Sequence, residues 1–160
     1  MTPTVRSSPV ARTLGVGELT ELRQILAVFA KAFRDEPTYL GKQPTDEYLS
    51  RLLASDGFIA IAGYSGESVV GGLAAYVLRK FEQERSEFYI YDLAVLEAHR
   101  RHGVATAMIE NLQKVAAERG AYVIFVQADY GDEAAIALYT KLGVREDVMH
   151  FDIPPYPAAT

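Results

Sequence analysis

Ser86-Glu87-Phe88-Tyr89-Ile90-Tyr91-Asp92-Leu93-Ala94-Val95, carried through Leu96-Glu97-Ala98-His99 into Arg100-Arg101-His102-Gly103-Val104-Ala105-Thr106, is the stretch on which the fold turns. Its first part is rich in aromatic and branched residues and follows the charged link Lys80 to Arg85, which is how a strand reads. Beyond the glycine, Val104, Met108, Ile109, Leu112 and Val115 recur at helical spacing up to Gly120. A strand ending in a glycine-containing turn that opens a helix makes an anion site, because unpaired N–H groups and the positive end of the helix dipole point outward together. Gly103 lets a backbone or ligand approach closely, and Arg100 and Arg101 add formal charge. The R-x-x-G-x-A spacing by itself fits an ordinary βα turn with two solvated arginines equally well.

Upstream, Phe58 to Tyr64 and Ser68 to Leu78 are β-rich runs joined by the hairpin signal Ser65-Gly66-Glu67, so three sequential antiparallel strands are expected. Before them, Glu18 to Phe33 carries Leu19, Leu22, Ile25, Leu26, Val28 and Phe29 at three- and four-residue spacing, an amphipathic helix broken by Arg34-Asp35-Glu36-Pro37. A shorter helix fits Thr45 to Ala54, with Thr45 as cap and Asp46 and Glu47 favourably placed in the first turn. Met1 to Arg12 reads as a loose leader with a short strand at most.

Downstream, Tyr122 to Val126 is continuously apolar and suits a strand buried on both faces. Asp132 to Leu142 is expected to be a helix with Gly143 just past its end, and Val148 to Ile153 a final strand before a tail at residues 154–160. The order α-α-β-β-β-α-β-α-β describes a single α/β domain over residues 1–160 with a mixed sheet.

Composition bounds the chemistry. The 160 residues are 49% apolar, enough for a core without crosslinks. There is no cysteine, which removes thiol nucleophiles, disulfides and thiolate metal sites. Sixteen basic against 21 acidic residues give a net charge of −5, which disfavours nucleic-acid partners and mildly attracts cations. No apolar run approaches the ~20 residues of a membrane span and no signal peptide is evident, so a soluble cytoplasmic protein is expected. His99, His102 and His150 are scattered without metal-ligand spacing, and no metal is expected.

Asp92 stands out. If residues alternate along the strand, Phe88, Ile90 and Asp92 share one face, and a carboxylate ends an apolar row. Partial burial raises the pKa of a carboxylate and suits it to take a proton from an incoming ammonium. The same residue could instead cap a turn or pair with Arg100.

Arg100-x-x-Gly103-x-Ala105 after Tyr91-Asp92-Leu93-Ala94-Val95, together with Ala135-x-x-Leu138-Tyr139-x-Lys141-x-Gly143-Val144, resembles the GCN5-related N-acetyltransferases. The segments Ala74 to Leu78, Lys80 to Gln83, Tyr89 to Val95, Gln127 to Asp132 and Val148 to Ile153 are similar, within that superfamily, to the type I aminoglycoside 3-N-acetyltransferases, which include gentamicin acetyltransferases. Asp132 stands where most of the superfamily has asparagine, and Val144 where it has phenylalanine.

The resemblance implies that superfamily's fold, a mixed, mostly antiparallel sheet flanked by helices on both faces. It also implies acetyl-coenzyme A as cosubstrate, a homodimer, and acetylation of the 3-amino group of an aminoglycoside with resistance as the outcome. Coenzyme would be held by Leu93, Ala94, Val95, Arg100, Arg101, His102, Gly103, Val104, Ala105, Thr106 and Asp132. Asp92 would be general base and Tyr139 the acid for the departing thiolate, with backbone N–H groups near Leu93 to Val95 polarising the carbonyl. Tyr139 could also be a core tyrosine on the stripe Ile136, Leu138 and Leu142. A small polycationic amine would be met by Tyr91, Glu82, Asp129 and Asp152, since carboxylates bind ammonium groups through charge-assisted hydrogen bonds. An acetyltransferase of the same fold acting on polyamines, other small amines or protein N-termini, and a coenzyme A-binding module without turnover, are the alternatives.

Overall fold

The computed structural model describes residues 8–156, so most of the leader and the last residues of the tail lie outside the described residues. The chain divides into two compact units, Met1–Gln127 and Ala128–Thr160.

The first unit is built on a five-stranded sheet whose spatial order follows the chain: β1 (Val10–Thr13), β2 (Phe58–Ser65), β3 (Ser68–Arg79), β4 (Ser86–Val95) and β5 (Ala121–Val126). Neighbouring strands are antiparallel except β4 and β5, which are parallel. Parallel neighbours cannot be joined by a tight turn, and helix α3 (Val104–Glu118) supplies the crossover. Helices α1 (Leu19–Ala32) and α2 (Asp46–Ala54) precede β2, and the Thr45 hydroxyl caps α2 by accepting from the Tyr48 N–H at 3.2 Å. The segment after α1 does more than break the helix: Pro37–Gly41 forms one π-helical turn.

Cross-strand partners share a face, so the register divides the sheet. One face pairs Phe58 with Tyr76, Ala60 with Ala74 and Ala62 with Gly72. It packs on Leu22, Ile25, Val28 and Phe29 of α1 and Leu49 of α2. The α1 backbone comes close because Gly72 has no side chain: a Cβ there would sit 2.5 Å from Ile25 Cγ2. On the opposite face, Gly63 and Gly71 make room for Val104 and Met108 of α3. Phe88, Ile61, Leu73, Met108 and Leu112 are fully buried. Each large side chain so buried contributes about 1.5–3 kcal/mol against exposure, and two cores, one per face, hold the sheet.

Two expectations change here. β5 is not buried on both faces: it is an edge strand, with Tyr122 and Val123 exposed. A continuously apolar run marks a strand but not its position in the sheet.

In the second unit, helix α4 (Glu133–Leu142) is capped by the Asp132 carboxylate, which accepts from the Ala135 N–H at 3.2 Å, and Gly143 lies at its C-cap. The final strand expected at Val148–Ile153 does not form. The alternation is present in the residues, but alternation alone does not make a strand, which also needs a hydrogen-bonded partner. Val148, Met149, Phe151 and Ile153 are left 67–87% exposed.

Candidate active site

The site is organised by an irregularity in β4. Opposite β3, Ala75 faces Ile90 and Ala74 faces Asp92, so Tyr91 is an extra residue, a β-bulge. Ala74 and Ala75 lie on opposite faces, and therefore so do Asp92 and Ile90. The expectation that Phe88, Ile90 and Asp92 share a face is thus overturned, because the bulge resets the alternation between Ile90 and Asp92. Asp92 leaves the α3 side and projects from the α1/α2 side.

There it meets the π-helical turn. The Tyr39 hydroxyl donates to Asp92 Oδ1 at 3.0 Å. Tyr39 is held from behind by Phe29 and Phe33, each with its ring centroid 5.7 Å away. Asp92 does not pair with Arg100, whose Nε–H donates to the Val95 carbonyl at 3.0 Å instead. Burial pushes the Asp92 carboxyl above its ordinary value, and the Tyr39 hydrogen bond partly opposes this. Burial, then the Asp92 charge, raise both the Tyr39 and Tyr76 phenols.

The β4 edge facing β5 is open where the chemistry is expected. The two strands pair only as far as Ile90 with Val126, so among the described strands Tyr91 to Val95 have no partner on that side. Backbone N–H groups of Leu93, Ala94 and Val95 that point to that edge have no partner on a described strand there.

The turn into α3 is shaped for an anion. Arg101 and Gly103 take left-handed backbone conformations (φ 62° and 82°), and Gly103 occupies the helix N-cap with no side chain satisfying the first N–H groups. Val104, Ala105 and Thr106 supply those groups, with the exposed Arg101 and His102 beside them. A phosphate-bearing ligand fits this donor set.

Glu82 lies in the β3–β4 link, 3.7 Å from Lys80 Nζ and 3.5 Å from Arg85, so its charge is already shared. Tyr91 is exposed and stands next to Asp92 on the bulge. Within the second unit, Asp129 is exposed, Asp132 caps α4, and Asp152 pairs with His150 at 2.8 Å. Tyr139 is half-buried on α4, and burial, followed by the Asp132 charge, pushes its phenol up to about 12. The structure therefore sets Asp92 and Tyr91 side by side on β4, with the α3 turn following the end of that strand, and it adds Tyr39 at Asp92, which no sequence motif marks, and Tyr76 on the same sheet face. Among the described residues, no cluster of His, Asp or Glu could hold a metal ion, and no helix is long and apolar enough to cross a membrane.

Residues 21–144 match the model of the Acetyltransferase (GNAT) family. The chain belongs to this family. Solved structures agree with the fold. A crystal structure of an aminoglycoside acetyltransferase from an uncultured soil metagenomic sample is 58% identical, with a TM-score of 0.90 over 93% of this chain and 99% of that one. A second aminoglycoside acetyltransferase from such a sample, in complex with sisomicin, is 28% identical, with a TM-score of 0.85 over 93% and 97% of the two chains. N-acetyltransferase 8B of Rattus norvegicus is 25% identical over 125 residues, 71% of this chain and 56% of the rat protein, so the chain spans about half the length of that relative. GNAT enzymes transfer acetyl from acetyl-coenzyme A, and the uncapped α3 N-terminus suits the phosphates of that substrate.

Proposed function

We propose that this GNAT acetyltransferase acetylates an aminoglycoside, at the 3-amino group of the 2-deoxystreptamine ring, and so confers resistance. The observation that carries the reading is Asp92, a half-buried carboxylate turned by the β4 bulge onto the α1/α2 face and held by Tyr39. The 58% identity to an aminoglycoside acetyltransferase supports the choice of acceptor.

In the mechanism proposed, the acceptor arrives as an ammonium and gives one proton to Asp92. The neutral nitrogen then forms a C–N bond with the thioester carbonyl carbon while free N–H groups at Leu93 to Val95 hold the developing oxyanion. The C–S bond breaks, and Tyr139, whose raised pKa keeps it protonated, gives its proton to the thiolate. It is reprotonated as the new amide nitrogen loses its second proton. The net change is an N-acetylated amine, a free thiol and one released proton. The α3 turn, Arg100 to Thr106, binds the coenzyme phosphates, with Asp132 beside Tyr139's helix as a further coenzyme contact.

Residues 1–160 would then form one N-acetyltransferase domain, working in the cytoplasm as a homodimer. Supporting the dimer are the outer edge of β5, unpaired among the described strands, and the exposed apolar residues of the 148–153 segment, surfaces a second copy would cover. Light scattering after size exclusion tests it, and a monomer at micromolar concentration refutes it.

The decisive assay is thiol release from acetyl-coenzyme A with gentamicin, kanamycin, spermidine, an N-terminal peptide or no acceptor, with the product located by NMR. Gentamicin-dependent release with acetyl on the 3-amino group is expected. Release with spermidine or the peptide alone would move the enzyme to another acceptor class.

A further inference from the structure

The neighbours of Asp92 are tyrosines, and among the described residues no basic side chain pairs with it. Tyr39 bonds the carboxylate at 3.0 Å. The Tyr76 ring lies on the same sheet face as Asp92 and meets the Tyr91 ring edge-on, with centroids 5.9 Å apart and planes at 88°. Tyr89 stands 5.5 Å from Tyr91. Behind this wall, Phe58 supports Tyr76 at 5.5 Å, and Phe29 supports Tyr39. Among the described residues, no Lys, Arg or His forms an ion pair with Asp92.

A half-buried carboxylate without a counter-ion leaves a local excess of negative potential. The faces of tyrosine rings carry the same sign, and they attract ammonium groups within about 6 Å of the ring centroid. One carboxylate is too few oxygen ligands for an inorganic divalent ion, which takes six or more. An alkylammonium group matches both features, because it hydrogen-bonds a single carboxylate while its C–H and N–H surfaces lie against aromatic faces.

We infer that Tyr39, Tyr76 and Tyr91 form with Asp92 an aromatic recess that receives a protonated primary amine, so that cation selection depends on tyrosine faces more than on a carboxylate cluster. Glu82 fits this division of labour, since Lys80 and Arg85 already engage its charge. The inference rests on the acetyltransferase reading of Asp92 and names what recognises its acceptor. It also gives a role to Tyr91, a large aromatic left 63% exposed beside Asp92 with its ring against Tyr76 and Tyr89.

The test is calorimetric binding of kanamycin and of spermidine in the presence of saturating coenzyme A, where no turnover occurs. Tyr91→Leu and Tyr76→Leu should each weaken amine binding about threefold to thirtyfold, the range of a cation–π contact. Tyr91→Phe should bind nearly as wild type, because the face is kept, and coenzyme A affinity should not move in any variant. Because Tyr91 is exposed, Tyr91→Leu remains decisive if Tyr76→Leu fails to fold. Wild-type affinity for both amines in Tyr91→Leu, or no binding of either amine by the wild type, would overturn the inference. Tight amine binding by the wild type with no thiol release would instead sink the proposed function and leave the recess standing.

Discussion

The Tyr39 hydroxyl and the Asp92 carboxylate, 53 positions apart, meet at 3.0 Å on the α1/α2 face of the sheet. Two local irregularities make this contact. The bulge at Tyr91 turns Asp92 to that face, and the π-helical turn Pro37–Gly41 delivers Tyr39 to it. Both are forms that recur at functional sites.

Tyr39→Phe should therefore move the acidic limb of the kcat/KM pH profile to higher pH. The hydrogen bond favours ionised Asp92 and opposes the upward push of burial, so its loss raises the carboxyl further and leaves less of it ionised at a given acidic pH. Tyr76, Tyr89 and Tyr91, which also stand near Asp92, and Asp35 near Tyr39 are unchanged in this variant. Activity relative to wild type should be lowest at acidic pH and recover as pH rises. A uniform loss at every pH would assign Tyr39 a structural role only.

Asp92→Asn should lower kcat about 10²- to 10⁴-fold, the usual worth of a general base, with coenzyme A affinity unchanged. It should also stabilise the protein at neutral pH. A carboxyl whose folded pKa is raised contributes stability below its unfolded pKa and loses it as pH rises through the folded value. Above that value the native state carries a buried charge, which asparagine lacks. Thermal melts should show the variant's Tm above wild type at pH 7–8, with the gap closing as pH falls through the raised folded value and gone below the ordinary value of 3.8. An unchanged rate would remove Asp92 from the proposed chemistry.

How much of this was legible in the sequence depends on the range of the interactions involved. β4 was readable to its ends, Ser86 and Val95, because aromatic and branched residues and a charged link are local signals. The Thr45 cap was readable for the same reason. The face of Asp92 was not: alternation counts one residue per step, and the bulge depends on how β4 registers against Ala74 and Ala75. Tyr39 carried no signal at all, since Pro37 marks a helix break but not a π-helical turn aimed at a strand. At Val148 to Ile153 the strand pattern was correct for a strand, yet pairing is a property of two segments and only one was visible.

Gly72→Ala should destabilise the first unit by about 1–3 kcal/mol, the usual cost of overpacking a filled core. The new Cβ would lie 2.5 Å from Ile25 Cγ2 and 3.3 Å from its Cβ, so α1 would have to move away from the sheet. Urea melts measure the loss. A neutral result would mean that α1 moves at little cost and that the close helix–sheet contact is not structurally required.

Tyr139→Phe separates the proposed acid from a packing residue. Phenylalanine keeps the ring and its burial on α4 but cannot give a proton to the departing thiolate. With the wild-type phenol at about 12, Tyr139 is protonated across the working range, so wild-type kcat should not fall on the alkaline side through this group below about pH 11. The variant should lose about 10²-fold or more in kcat with natural acetyl-coenzyme A. It should lose much less with an acetyl thioester whose thiol is more acidic, because such a leaving group departs without a proton. An equal loss with both thioesters, or a loss of Tm without a loss of kcat, would return Tyr139 to the core stripe of Ile136, Leu138 and Leu142.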